Sequence, residues 1–237
     1  MYEENSLFGV WNPTKHTFTG LQALYNALAK EETLLELEIY TLQNEQIDSQ
    51  YAFDASSLLN EWQGQKQPFG DLNIAFLRTI PIDTIYLPES RAMPTHSTGH
   101  IAVTCLGVID NLSKIRDKLF LHGYEWNIKN VAETLSCLFH SYLESGYISP
   151  IEAMQVIMKT LKGHFALMVL VGKGNWLMVG SRNYPLAVCK AEPTVYFGTD
   201  IKTLALFSSS IIPVFGQKPT IFCATSFQSD LISPVPL

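Results

Sequence analysis

Cysteine and arginine side chains are the groups in this chain with the clearest chemical potential. The four cysteines are Cys105, Cys137, Cys189 and Cys223, and no two of them form a Cys-x-x-Cys pair. Metal sites need ligands at closer spacing, so we predict no metal and no other cofactor, and we expect reduced, mostly buried thiols. Arg78, in the stretch FLRTIP, could bind a carboxylate bidentately; a plain arginine, exposed or paired within the protein, is the equal alternative.

The composition of the chain excludes several classes of ligand. Its 237 residues are 47% hydrophobic, which predicts a well-buried core. The net charge is −6 with no run of Lys or Arg, so a nucleic-acid partner is not expected. No apolar run reaches the roughly 18 residues of a membrane helix, and residues 1–30 lack a signal-peptide layout, so we expect a cytoplasmic protein without a membrane partner.

Charged residues make up only 16% of the chain, against roughly 25% in typical soluble domains. A surface built from Ser, Thr, Asn and Gln would account for this value. A surface covered by a second copy or by another protein would account for it equally well. A homodimer or a heteromeric partner is therefore an open expectation.

Apolar periodicity predicts the elements that must position any site. Strands are expected at 7–11, 34–42, 72–80 and 100–109, and in a hairpin-rich run from 164 to 198 and near 211–215. Helices are expected around Leu21, Leu24 and Leu28, and at 110–123, 130–145, 149–163 and 200–207. We interpret 43–70 as loop and short elements, and 81–99, with its three prolines, as a long loop.

Two of the predicted helices carry clear signals at both ends. Asn111 is expected to cap the helix at 110–123, and Gly123 suits the position after its end. Ser149 and Glu152 form a capping-box pattern with Pro150 at the first helical position, and Gly163 is expected to close that helix.

The order of elements predicts an α+β fold with two antiparallel sheets covered by helices. No break in composition divides the chain, so we predict a single domain over 1–237. Its core should span about 3–215. The tail 217–237, with Pro219, Pro234 and Pro236, is expected to be loosely ordered.

Several stretches in consistent order resemble one family. They are EENSLFGVWN at the start, GLQALYNAL, GHIAVTCLGVIDNLSKIRDKLFLHGYEW, MKTLKGHFALMVL, SRNYPLAV and VYFGTD. Together they resemble the class II glutamine amidotransferase domains of the N-terminal-nucleophile (Ntn) hydrolase type, as in amidophosphoribosyltransferase and glucosamine-6-phosphate synthase. The resemblance implies a four-layer αββα sandwich. It also implies hydrolysis of the glutamine side-chain amide, with ammonia passed to a synthase in purine or amino-sugar synthesis.

The resemblance places Asn5 where the family has its nucleophilic cysteine. In the family the thiol attacks and its own free α-amine takes the proton. A carboxamide is not a nucleophile at neutral pH, and Asn5 follows four residues, so no free amine is expected without cleavage. A chain cleaved before Ser6 would expose a hydroxyl and an amine, but a shift of one residue turns that side chain to the other face of the strand.

Other family positions are also replaced. Leu106 stands where an Asn side chain would stabilise the oxyanion, whereas Gly107 keeps the backbone N–H of that site. Cys105 beside them is a substitute nucleophile in principle, and a buried strand residue by preference. Arg78 matches the family arginine that holds the substrate, while the Asp that would hold its ammonium group is replaced by Val131, which we expect in the core.

The sequence therefore predicts a glutaminase-like domain that has lost its activity and serves as a binding, regulatory or structural module, with glutamine binding in doubt. The alternative is an active amide hydrolase that uses Ser6 after cleavage. In a third hypothesis the domain assists a separate synthase, because nothing after Phe215 resembles an acceptor domain.

Overall fold

A computed structural model gives the fold of the chain. It describes residues 6–12, 17–29, 33–43, 45–62, 72–81, 100–125, 130–144, 146–174, 176–191, 194–214, 220–225 and 228–236. The long loop predicted at 82–99 lies outside these residues. The chain divides into two compact units, the first formed by Met1–Gln43, Asp48–Tyr86 and Leu186–Pro213, and the second by Asn44–Ile47, Leu87–Pro185 and Val214–Leu237.

The first unit contains a seven-stranded antiparallel sheet in the order β10-β8-β9-β1-β4-β2-β3. Its strands are β1 (Ser6–Asn12), β2 (Thr33–Gln43), β3 (Gln46–Ala52), β4 (Leu72–Pro81), β8 (Ala187–Ala191), β9 (Thr194–Gly198) and β10 (Ile211–Pro213). Its helices are α1 (Thr17–Leu28), α2 (Ala55–Trp62) and α6 (Ile201–Leu204). Strand β3 and helix α2 occupy the stretch that the sequence predicts as loop and short elements.

One face of this sheet packs against the helices. Leu21, Leu24 and Leu28 recur with helical spacing along α1, and all three are buried. They join Leu35, Leu37 and other alternate strand residues in one apolar cluster. Because side chains alternate across a strand, the residues between these, such as Glu36 and Glu38, belong to the opposite face, and they are buried too.

The second unit contains a five-stranded antiparallel sheet in the order β12-β11-β7-β6-β5. Its strands are β5 (Ile101–Ile109), β6 (Gly163–Val171), β7 (Trp176–Arg182), β11 (Thr220–Thr225) and β12 (Gln228–Pro236). Its helices are α3 (Leu112–Leu121), α4 (Val131–Leu143) and α5 (Pro150–Thr160), which share an apolar cluster with alternate residues of β5, β6 and β7. Two antiparallel sheets with helices confirm the predicted α+β class.

The tail differs from its prediction, because β11 and β12 fall within 217–237. Pro234 and Pro236 suggest disorder by composition, since proline cannot donate to a sheet ladder. Strand β12 is at the edge of its sheet in the described part of the chain, however, and an edge strand tolerates missing donors.

The helix ends confirm most of the predicted signals. Ser149 and Glu152 form the reciprocal capping box of α5, with Ser149 N–H donating to Glu152 Oε2 at 2.8 Å. Gly123 follows the C-cap of α3 with a φ of +88°. Gly163 was wrongly expected to close α5: that helix ends at Thr160, and Gly163 begins β6.

Asn111 does not cap α3 through its side chain, contrary to expectation. Its amide instead donates to Thr160 O at 3.0 Å and accepts from Lys162 N at 2.9 Å. The side chain therefore joins the start of α3 to the end of α5. A tertiary contact has taken up the donor and acceptor that a local cap would have used.

Candidate functional site

The start of β1, where the family places its nucleophile, is held by two threonine hydroxyls. Asn5 lies outside the described residues. Ser6 is half-buried, and its backbone N–H donates to Thr79 Oγ1 at 3.0 Å. The next N–H, of Leu7, donates to Thr199 Oγ1 at 3.0 Å. The nitrogen that would act as the base after cleavage before Ser6 thus already donates a hydrogen bond in the uncleaved chain.

Arg78 lies on β4 directly between Leu7 of β1 and Glu36 of β2. Only 5% of Arg78 is exposed, and its Nη2 donates to Glu36 Oε2 in a buried ion pair. The other oxygen of Glu36 accepts from the Tyr51 hydroxyl at 2.9 Å. Of the two readings that the sequence leaves open for Arg78, the structure favours an arginine paired within the protein.

Two more polar groups follow Glu36 on the same face of β2. Glu38 is 3% exposed, and Tyr40 is fully buried. The pKa of the Glu38 carboxyl is raised to about 8: burial is the main cause, the charge of Glu36 adds to it, and the Tyr40 hydroxyl and Arg78 oppose it. Burial likewise raises the pKa of Tyr40. The sequence identifies β2 correctly as an alternating strand, but alternation alone does not reveal that its polar face is buried.

Leu106 and Gly107 lie near the end of β5. Leu106 is 7% exposed and pairs with Ala166 of β6, so an apolar side chain fills the position of the family's oxyanion donor. Gly107 has a φ of +103°, and a Cβ built there would come within 2.2 Å of His164 O. A glycine is therefore needed at this corner for backbone reasons alone.

Cys105 belongs to the opposite face of β5 from Leu106. It packs against the apolar cluster shared with α3, α4 and α5. Burial raises the pKa of its thiol to about 12, and the nucleophilic form of a cysteine is the thiolate. The environment of Cys105 suits the buried strand residue that the sequence favours.

Val131 is the first residue of α4, directly after its N-cap. The cap is Asn130, whose side chain accepts from Glu133 N–H at 2.7 Å, a signal that sequence reasoning missed. Val131 is partly buried and packs against the helix-side cluster. Because Leu106 is on the other face of β5, the structure does not bring Val131 and Leu106 to a common surface.

The predicted site residues thus fall into separate groups. Ser6 and Arg78 lie on neighbouring strands of the first unit, whereas Leu106, Gly107 and Val131 lie in the second. Among the described residues, no group of three or more His, Cys, Asp and Glu side chains is placed to hold a metal ion. No described helix has the length and apolar character needed to cross a membrane.

Comparison with known proteins agrees with this fold. The sequence family described as the glutamine amidotransferase domain matches residues 82–206. The glutamine–fructose-6-phosphate aminotransferase [isomerizing] of Bradyrhizobium diazoefficiens is 35% identical over 124 residues, which cover 52% of this chain and 20% of that protein. The corresponding enzyme of Mesorhizobium japonicum gives the same identity and coverage. The chain spans about a fifth of the length of these curated relatives.

Solved structures extend the similarity to nearly the whole chain. The allosteric regulatory enzyme of purine biosynthesis matches 93% of this chain and 49% of its own, with a TM-score of 0.64 and 14% identity. The glutamine phosphoribosylpyrophosphate amidotransferase from B. subtilis gives a TM-score of 0.61 with the same coverage and identity. At this identity the match supports the fold alone. With the family match over 82–206, the chain belongs to the glutamine amidotransferase domain family of class II, and the resemblance predicted from its sequence is confirmed.

Proposed function

We propose that this domain keeps the scaffold of a class II glutaminase without its activity, and that it acts as a binding, regulatory or structural module. The observation that carries this proposal is the environment of Arg78. Its guanidinium is buried and engaged by Glu36, whose second oxygen is held by Tyr51. A carboxylate ligand would have to compete with Glu36 for the guanidinium of Arg78.

The replaced positions support the same proposal. Leu106 has no group that can donate to an oxyanion, and loss of one such donor typically costs ~2.7–4 kcal/mol of transition-state stabilisation. Val131 cannot hold an ammonium group. The residues of a catalytic unit act together, so the effects of losing several of them are not additive, and we expect negligible residual activity.

Ammonia release from glutamine tests the proposal directly. The purified protein should release ammonia no faster than buffer, and calorimetry should detect no heat of glutamine binding. Intact mass should be measured on the same sample. Turnover well above buffer, together with a chain that begins at Ser6, would overturn the proposal in favour of an active amide hydrolase that supplies ammonia for amino-sugar or purine synthesis.

The function of a silent domain implies a protein partner, and we propose a second copy of this chain or a separate synthase-type protein. The low charged fraction of 16% supports a covered surface. Light scattering at high protein concentration should give a dimer, or a pull-down should recover a synthase; a monomer with no recovered synthase would contradict the proposal.

Free thiols at Cys105, Cys137 and Cys189 fit the reducing cytoplasm, which we propose as the compartment.

A further inference from the structure

The first sheet contains a polar stripe of which the proposed function uses only the first residue, Glu36. Glu36, Glu38 and Tyr40 alternate along β2 with the apolar residues that face α1 and α2. All three polar side chains are buried. A buried polar group without a partner is costly, so each of them calls for a physical explanation.

Glu36 is fully satisfied, whereas Glu38 is not. Arg78 and Tyr51 occupy the two oxygens of Glu36. Within the described part of the chain, neither oxygen of Glu38 has a hydrogen-bond partner. The Tyr40 hydroxyl favours the ionised carboxylate, but it too has no partner at hydrogen-bond distance and angle there. Phe76 lies directly across from Glu38 on β4.

Two aromatic residues neighbour Glu38 on its face of the sheet: Phe76, its cross-strand partner, and Tyr40, two residues along β2. The Phe76 ring is 5.5 Å from the Tyr40 ring and 5.9 Å from the Phe197 ring, in edge-to-face arrangements. An anion surrounded in this way loses its hydration without gaining partners, so the neutral acid is favoured. The titratable and charged groups acting on Glu38 are Tyr40 and Glu36 on its own strand and Arg78 on β4.

We propose that Glu38 carries a proton at neutral pH, and that release of this proton to solvent is a conformational switch for the strand pair β2–β4. The ionised carboxylate competes with Glu36 for the guanidinium of Arg78. Two carboxylates then share one cation, the hold of Arg78 on Glu36 weakens, and the contact from Tyr51 of β3 to Glu36 weakens with it. The switch operates near pH 8, where the pKa of Glu38 lies.

Infrared difference spectroscopy on the full chain tests this proposal. A buried protonated carboxylic acid has a carbonyl stretching band that the ionised form lacks. The wild type should show this band at pH 6.5 and lose it as the pH rises through about 8. Absence of the band at pH 6.5 would overturn the proposal, and this result needs no variant to fold.

Two variants and a control test whether the carbonyl band belongs to Glu38. Glu38→Gln should abolish it, whereas Glu61→Gln, the same change at an exposed position of α2, should leave it unchanged. Glu36→Gln removes a like charge and releases Arg78, so the midpoint should fall by about one pH unit or more. A band that persists in Glu38→Gln, or an unchanged midpoint in Glu36→Gln, would overturn the proposal.

Discussion

At the scale of single residues, the buried ion pair of Arg78 with Glu36 limits which substitutions β4 and β2 tolerate. Arg78 and Glu36 are separated by 42 positions in sequence but lie side by side on β4 and β2. Removing both charges of a buried pair is often tolerated, whereas removing one leaves an uncompensated charge in the interior. The pair therefore constrains mutation more than it adds to stability.

Replacing Arg78 with Met should lower the free energy of unfolding by ~3–5 kcal/mol, because among the described residues Glu36 then keeps the Tyr51 hydroxyl alone as its partner. The double variant Arg78→Met with Glu36→Gln should recover part of that loss. Urea unfolding at constant pH measures both values. Lys159→Met, at an exposed position of α5, is the control. An Arg78→Met variant as stable as this control would contradict the assignment.

Cys105 provides a second test at this scale. With its pKa raised to about 12, its thiolate fraction at pH 8 should be lower than in the unfolded chain by roughly a thousandfold. Alkylation followed by mass spectrometry should therefore label Cys105 far more slowly in the native protein than after denaturation. Cys105 and Cys137 are both half-buried, but of the two only Cys105 has a large pKa shift, so Cys137 is the internal comparison. Equal labelling of the two cysteines would refute the raised pKa of Cys105.

At the scale of elements, the end of β5 depends on backbone conformation more than on side-chain chemistry. Gly107 and Gly163 both have positive φ, at +103° and +129°. A Cβ on Gly163 would come within 2.2 Å of Val108 O, just as one on Gly107 would approach His164 O. The pairing of β5 with β6 therefore needs a glycine on each strand.

Gly107→Ala should destabilise the protein by roughly 3–5 kcal/mol, since it adds a backbone clash to an unfavourable φ. Gly123→Ala separates the two effects, because Gly123 has a φ of +88° but open space around its Cβ. That variant should cost only ~1–2 kcal/mol. Thermal or urea unfolding compares the two, and equal losses would show that the contact with His164 O is relieved without cost.

At the scale of the whole molecule, stability should depend on pH in two opposite ways. Hydrogen bonds from Ser56 lower the pKa of Asp54, and those from Ser149 lower the pKa of Glu152. Their contribution is present above the unfolded pKa values and is lost as the pH falls. The contribution of Glu38 is complete below about 4.5 and is lost as the pH rises through about 8.

The free energy of unfolding should therefore be highest at mildly acidic pH. Between about pH 5 and 8 it should fall by up to ~1.4 kcal/mol per pH unit, and by roughly 5 kcal/mol in total at most. Urea unfolding curves from pH 3 to 9.5 measure this profile. A stability that stays constant from pH 5 to 9 would contradict the raised pKa of Glu38.

The sequence alone determined most of the elements and the family, but not the tail strands β11 and β12. The capping box of α5, the leucine stripe of α1 and the alternation along β2 depend on residues within a few positions of one another, so they can be read without a tertiary structure. The ordered motifs also identified the glutamine amidotransferase domain, whereas the assignment of Leu106 and Val131 as replaced family positions stays a prediction.

The tertiary structure decided the partners. Arg78 pairs with Glu36, and Asn111 bonds to Thr160 and Lys162 instead of capping its own helix. These contacts join residues some 40 to 50 positions apart. The register of β2 against β4 likewise sets what lies next to Glu38. In the described part of the chain β12 is an edge strand, which tolerates prolines because it needs fewer N–H donors. Local sequence constrains a residue's backbone, but its electrostatic environment is set by distant residues that only folding brings near.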